Sequence, residues 1–168
     1  MIITMNNNPL TLIGDELNIG DTAPNFKAIK SDLSEFNLSE IENKTIVITS
    51  FPSIDTGICA IQTTKFNHKV ADFGDDVVLI IISNDLPFAL NRYCGINNIN
   101  NAIILSDHRD VDFSMKYGVL IKELRLLGRT VFVLDKNKKL VYKEIASEIK
   151  TELDYDKAFE AVKNSINN

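Results

Sequence analysis

Three runs of β-branched and aliphatic residues constrain this chain more than anything else in it: TIVITSF (Thr45 to Phe51), VVLIIIS (Val77 to Ser83) and AIIL (Ala102 to Leu105). Nearly continuous apolar runs of this kind read as strands covered on both faces. Between the first two, Ile58, Ile61, Phe66, Val70 and Phe73 recur at a spacing closer to helical than to alternating, so Thr56 to Phe73 is expected to be a helix. Between the second and third, Leu86 to Cys94 is helix-like, with Pro87 at an early position that tolerates its missing N–H. Val111 to Tyr117 reads as a short helix, TVFVLD (Thr130 to Asp135), KNKK and LVYKEI (Leu140 to Ile145) as a hairpin, and Asp154 to Ile166 as an amphipathic helix.

Strand, helix, strand, helix, strand, then hairpin and helix is an α/β sandwich around a central mixed β-sheet flanked by helices, and a thioredoxin-like topology is one natural solution. Upstream, short apolar pieces around Asn6 to Pro9 fit an N-terminal β-hairpin. Gly20 to Pro24 reads as a turn, Asn25 to Ile29 as an extended segment, and Leu38 to Ile41 as one helical turn. No linker, repeat or low-complexity block divides the 168 residues, so 1–168 is expected to form a single domain. A net charge of −5 argues against non-specific nucleic-acid binding, which needs clustered Lys and Arg. No window approaches the ~18 apolar residues of a membrane span, and the first residues lack the pattern of a signal peptide. The expected location is the cytoplasm, where a disulfide between the two cysteines would be transient or catalytic.

Cys59 lies in SFPSIDTGICAIQTTKFN, Ser50 to Asn67. The strand ends at Phe51, Pro52 stops it, and a helix is expected to begin near Asp55 or Thr56, either of which can cap it. Cys59 then falls in the first turn, where unpaired N–H groups and the positive end of the helix dipole favour an anion such as a thiolate. A free thiol of pKa ~8.5 is only about 3% ionised at neutral pH, and keeping one mostly ionised takes roughly 3 kcal/mol. A helix terminus supplies ~0.3–2 kcal/mol. A nearby cation is therefore required, and the local sequence offers none before Lys65.

The Pro–x–x–x–Thr–x–x–Cys spacing of PSIDTGIC resembles the active-site signature of peroxiredoxins. FPSIDTGIC followed by QTTKFN, SNDLPFALNRYCG and GRTVFVLD resembles, essentially over the full length, their atypical two-cysteine thiol peroxidase subfamily. The resemblance implies a thioredoxin-like fold and antioxidant reduction of hydrogen peroxide and organic hydroperoxides, with no metal or organic cofactor. It implies that Cys59 is the peroxidatic cysteine, that Thr56 orients its sulfur and hydrogen-bonds the peroxide, that Pro52 shields the pocket, and that Arg129 supplies the missing charge. Cys94 would be the resolving cysteine, joining Cys59 in an intrasubunit disulfide that thioredoxin reduces, and the chain would be a homodimer. Disulfide geometry needs Cα atoms within ~7 Å, so two cysteines on separate helices predict local unwinding on oxidation.

From the residues alone other readings stay open. Either cysteine could be a buried small hydrophobe, in a thioredoxin-fold binding or chaperone-like protein. Ile54 and Ile58 could serve the core or an organic substrate. His68 and His108 lack ligand spacing with the cysteines and are expected at the surface, and no local motif makes either the base of a Cys–His hydrolase. The absence of Cys–x–x–Cys disfavours a dithiol oxidoreductase.

Overall fold

A computed structural model describes residues 1–167. In chain order the strands and helices are β1 (Ile2–Met5), β2 (Asn8–Ile13), β3 (Lys27–Ile29), β4 (Glu35–Asn37), β5 (Thr45–Ser50), α1 (Gly57–Val70), β6 (Val77–Ser83), α2 (Pro87–Ile96), β7 (Ala102–Ser106), α3 (Asp112–Lys116), β8 (Leu120–Ile121), β9 (Leu126–Leu127), β10 (Thr130–Leu134), β11 (Leu140–Ile145) and α4 (Tyr155–Ile166). Seven strands form the main sheet in the order β11-β10-β5-β6-β7-β3-β4. β5, β6 and β7 run parallel, and β10 and β3 flank them antiparallel. This is the expected mixed sheet.

The central strands alternate their side chains between two apolar layers. Ile46, Ile48, Ile80, Ile82 and Phe132 face a layer that includes Phe113 of α3 and the Phe26–Tyr117 aromatic group. Val47, Leu79, Ile81, Val131 and Val133 face the other, shared with Cys59 and Phe66 of α1, Leu90 and Cys94 of α2, and Ala158 and Val162 of α4. Both cysteines therefore sit on one face of the sheet.

The N-terminal hairpin turns through Asn6 and Asn7, both at positive φ (52° and 64°), which asparagine accepts more readily than most residues. It joins a second, four-stranded sheet of order β1-β2-β8-β9. Ile3, Leu10, Leu12, Ile121 and Ile149 pack between this sheet and the segment after β11.

Two helix ends differ from expectation, and one of the two candidate caps is selected. The first helix stops at Val70, and residues 71–76 tighten into 3₁₀ turns around Gly74 at φ 60°. α2 runs past Cys94 to Ile96. Asp55 is not the helix cap; Thr56 occupies that position, and its side chain makes no capping bond.

Candidate active site

The strand β5 ends at Ser50, and residues 51–56 lead from its carboxyl end into α1, the edge of a parallel α/β sheet where ligands commonly bind. Cys59 lies in the first turn of α1 and is fully buried. The Thr56 hydroxyl, freed from capping, lies 2.7 Å from Cys59 Sγ and 3.0 Å from the Ser53 carbonyl oxygen, so its single proton is shared between them. Pro52 is half-buried at the pocket wall.

Arg129 comes from 70 residues away in sequence, and the sheet register explains how. Thr130 pairs with Ser50 across the β5–β10 ladder, so the residue preceding β10 arrives beside the loop that follows β5. The Arg129 side chain is buried, at 3% exposure, with Nη2 3.5 Å from Cys59 Sγ. Its Nε donates to the Ile149 carbonyl oxygen at 2.8 Å and Nη1 to Gln62 Oε1 at 2.6 Å. A buried guanidinium is costly unless hydrogen-bonded. These bonds meet that requirement and leave one edge for the sulfur.

Gln62 was not singled out in the sequence. It is completely buried, and its amide nitrogen donates to Thr49 Oγ1 and to the Ser50 carbonyl oxygen. One side chain thus ties the guanidinium to the end of β5. The signal was present: Cys59, Gln62 and Phe66 recur at i, i+3 and i+7, placing an amide on the helix face that enters the core.

Beside Thr56 and Arg129, the two partners of the sulfur, lies a pocket of about 460 Å³ whose wall includes Pro52, Ser53, Gly57, Ile58, Leu124, Leu126 and Ile149, with Arg129 and Lys150 as its cationic groups. The two isoleucines separate here. Ile58 faces the pocket, and Ile54 is buried in the core. A thiol with a hydroxyl and a guanidinium against it, at a helix start and beside an apolar vestibule, is equipped to act as an anionic nucleophile.

The sequence matches the Redoxin family over residues 18–160. The chain belongs to that family. Its curated relatives include thiol peroxidases of Staphylococcus saprophyticus, 48% identical over 162 residues (96% of this chain, 98% of the relative), and of Bacillus subtilis, 48% identical over 161 residues (96% of each). Among solved structures, a peroxiredoxin-like protein from Aquifex aeolicus superposes with a TM-score of 0.90 at 38% identity, covering 97% of this chain and 96% of that one. A Chromobacterium violaceum thiol peroxidase at 22% identity shares the fold, with a TM-score of 0.86 over 98% of this chain and 96% of that one. This Redoxin-family chain is an oxidoreductase, a thiol peroxidase of the peroxiredoxin type.

Cys94 lies in the last turn of α2 at 8% exposure. Burial pushes its thiol up to about 11. Both cysteines are free thiols. His68 is exposed, and His108 Nδ1 pairs with the Ser106 hydroxyl at 2.7 Å. Among the described residues no cluster of His, Cys, Asp and Glu could hold a metal ion, and no helix is long and apolar enough to cross a membrane.

Proposed function

We propose that Cys59 is the peroxidatic nucleophile of a single thioredoxin-like domain spanning 1–168, and that Cys94 resolves its oxidised form. The observation that carries this reading is the placement of Cys59 Sγ between the Thr56 hydroxyl at 2.7 Å and Arg129 Nη2 at 3.5 Å. The thiolate attacks one oxygen of the peroxide, the O–O bond breaks, and the alcohol or water derived from the other oxygen departs after taking a proton from solvent. The sulfur loses two electrons and becomes a sulfenic acid, the reversible first product of cysteine oxidation. Arg129, Thr56 and the first-turn N–H groups of α1 hold charge that spreads over both oxygens in the transition state. Pro52 and the apolar wall limit water at the reacting sulfur.

The Cys94 sulfur then displaces the sulfenic oxygen as water, forming the intrasubunit Cys59–Cys94 disulfide. Each cysteine lies within a separate helix, so this bond requires local unwinding. A dithiol reductant of the thioredoxin type returns both thiols and is itself oxidised. Neither step draws on a metal or organic cofactor. The apolar vestibule suits organic hydroperoxides as well as hydrogen peroxide. The chain is assigned to the cytoplasm, without a nucleic-acid or membrane partner, and to a homodimer. Exposed Leu86 and Phe88, at 54% and 62%, lie at the start of α2 and support a pairing surface near the site.

The test mixes reduced protein with excess peroxide and follows thiol loss. The wild type loses both thiols, Cys94→Ser accumulates sulfenate, and Cys59→Ser forms no disulfide. Retention of both thiols by the wild type sinks the assignment.

A further inference from the structure

The turn between β6 and α2 makes a set of contacts that the reaction above does not use. Asp85 Oδ1 accepts the Ser53 hydroxyl at 2.7 Å, and Oδ2 accepts the Ile54 N–H at 2.8 Å and the Ser83 hydroxyl at 2.7 Å. The Ser106 hydroxyl at the end of β7 donates to the Asp85 carbonyl oxygen, fixing the turn from a third strand end. The neighbouring Asn84 sends its amide N–H to the Arg125 carbonyl oxygen at 2.7 Å. Arg125, in the left-handed region at φ 56°, lies between Leu124 and Leu126, which line the peroxide pocket. Ser83, Asn84 and Asp85 therefore clamp both walls of that pocket to the residues that open α2.

The Asp85 end of the clamp reaches the sulfur through one further bond. Ser53, which donates to Asp85, also presents the carbonyl oxygen that accepts the Thr56 hydroxyl, the same hydroxyl that donates to Cys59 Sγ. Displacing Ser53 and Ile54 displaces the donor of the nucleophile. Conversely, the Ser53–Cys59 segment cannot leave its closed position without breaking hydrogen bonds to a carboxylate, which are stronger than neutral ones.

We propose that Asp85 is a positioning residue that latches the Ser53–Cys59 segment closed, so that one carboxylate sets both the speed of peroxide attack and the ease of disulfide formation afterwards. The second half of the statement rests on Cys94 being the resolving cysteine. In the closed state Cys59 reacts with peroxide, and its sulfenic acid can meet a second peroxide, giving sulfinic acid and one more alcohol or water. In the released state the sulfenic acid condenses with the Cys94 thiol and loses water. Asp85 sets the balance.

Two rate constants separate the claims. In a Cys94→Ser background, quenched-flow mass spectrometry gives the second-order constant for Cys59 sulfenate formation by hydrogen peroxide, independent of any role of Cys94. Asp85→Ala is expected to lower it about tenfold, the scale of a small misplacement of reacting groups. With Cys94 intact, Asp85→Ala is expected to raise the first-order constant for disulfide formation several-fold and to lower the sulfinate yield at high peroxide. Asp85→Asn, which keeps an acceptor oxygen, should recover much of both constants. Ser53→Ala, which deletes one bond from the other side, should move both the same way by less, and stands in if Asp85→Ala fails to fold.

A residue that only stabilised the fold would lower the amplitude of both steps and leave their rate constants in place, which overturns the proposal. An unchanged sulfenate-formation constant in Asp85→Ala overturns it as well. Should the wild type form no Cys59–Cys94 disulfide, the resolving assignment is what fails, and the sulfenate-formation constant alone decides whether Asp85 positions Cys59.

Discussion

Cys59 and Cys94 are the same residue type, packed into the same apolar layer on the same face of the sheet, and their surroundings are opposed. Cys59 stands in the first turn of its helix, at the positive end of the dipole, with a hydroxyl at 2.7 Å and a guanidinium at 3.5 Å. Cys94 stands in the last turn of its own helix, at the negative end, and desolvation holds its proton on to about 11. Burial is common to both, so burial does not decide reactivity. The proposed roles differ instead in the groups that replace water: a hydroxyl and a guanidinium at Cys59, an apolar setting at Cys94.

The sharpest way to break this contrast is to exchange the roles of the two thiols. If Cys59 is the nucleophile proposed above, Cys59→Ser is expected to abolish peroxide consumption, a loss of at least about a thousandfold. Cys94→Ser should leave the first oxidation within about twofold of wild type and stop turnover. Stopped-flow measurement of peroxide loss separates the two. Equal losses in both variants would mean that the two environments do not assign different tasks.

Removing the cation comes next in size. Arg129→Met keeps a comparable apolar bulk and takes the charge from the sulfur, with an expected fall in the second-order rate constant of about a hundredfold, the scale of losing one preorganised donor. The converse test belongs to Cys94. In Cys59→Ser, alkylation of Cys94 by iodoacetamide at pH 8 should run about a hundredfold slower than for a thiol of ordinary pKa near 9, because its pKa is raised by burial to about 11. The rate should climb roughly tenfold per pH unit as pH rises toward that value, since only the thiolate reacts. Alkylation at a free cysteine's rate, with a plateau near pH 9, would show that Cys94 is not held neutral in the folded chain.

The same contrast marks what could be read from the sequence. The strands β5, β6 and β7 announced themselves as apolar runs because they are covered on both faces, and α1 showed a helical spacing around a cysteine at its start. The partners of that cysteine were less visible. Arg129 touches Cys59 only because Thr130 pairs with Ser50, a register fixed by two strands far apart in sequence, so family resemblance named it where local pattern could not. Gln62 lies on the helix face that enters the core, but a glutamine there is easily read as solvated, since that residue type is mostly exposed. Strands β8 and β9 have two residues each, too few to show alternation; β8 forms against the edge that β2 offers, and β9 against β8. Asp85 carries no local signal of its role, because its bonds to Ser53 and Ile54 cross 32 and 31 positions.

Gln62 supplies a smaller but more discriminating prediction. Gln62→Ala leaves the charge of Arg129 and removes its 2.6 Å anchor, together with the amide bonds to Thr49 and Ser50. The expected loss in the peroxide rate constant is about tenfold, less than for Arg129→Met. Gln62→Glu, which keeps an acceptor for the guanidinium, should lie between Gln62→Ala and wild type. If Gln62→Ala falls as far as Arg129→Met, the amide is needed for the structure of the site and not merely for aiming the guanidinium.

The smallest effect belongs to the pocket wall. Leu124 and Leu126 line the vestibule, where an organic group attached to the peroxide would meet them; hydrogen peroxide has no such group. Replacing Leu124 by serine removes apolar surface worth about 1 kcal/mol to a bound hydrocarbon group, since a partly exposed leucine contributes only part of its full burial value. The ratio of kcat/KM for cumene hydroperoxide to that for hydrogen peroxide should therefore fall about fivefold. Cys59, Thr56 and Arg129 are untouched, so the chemical step is common to both substrates and cancels in the ratio. An unchanged ratio would mean that the organic group lies outside the vestibule, and that Ile58, Leu124 and Leu126 serve only to exclude water from the sulfur.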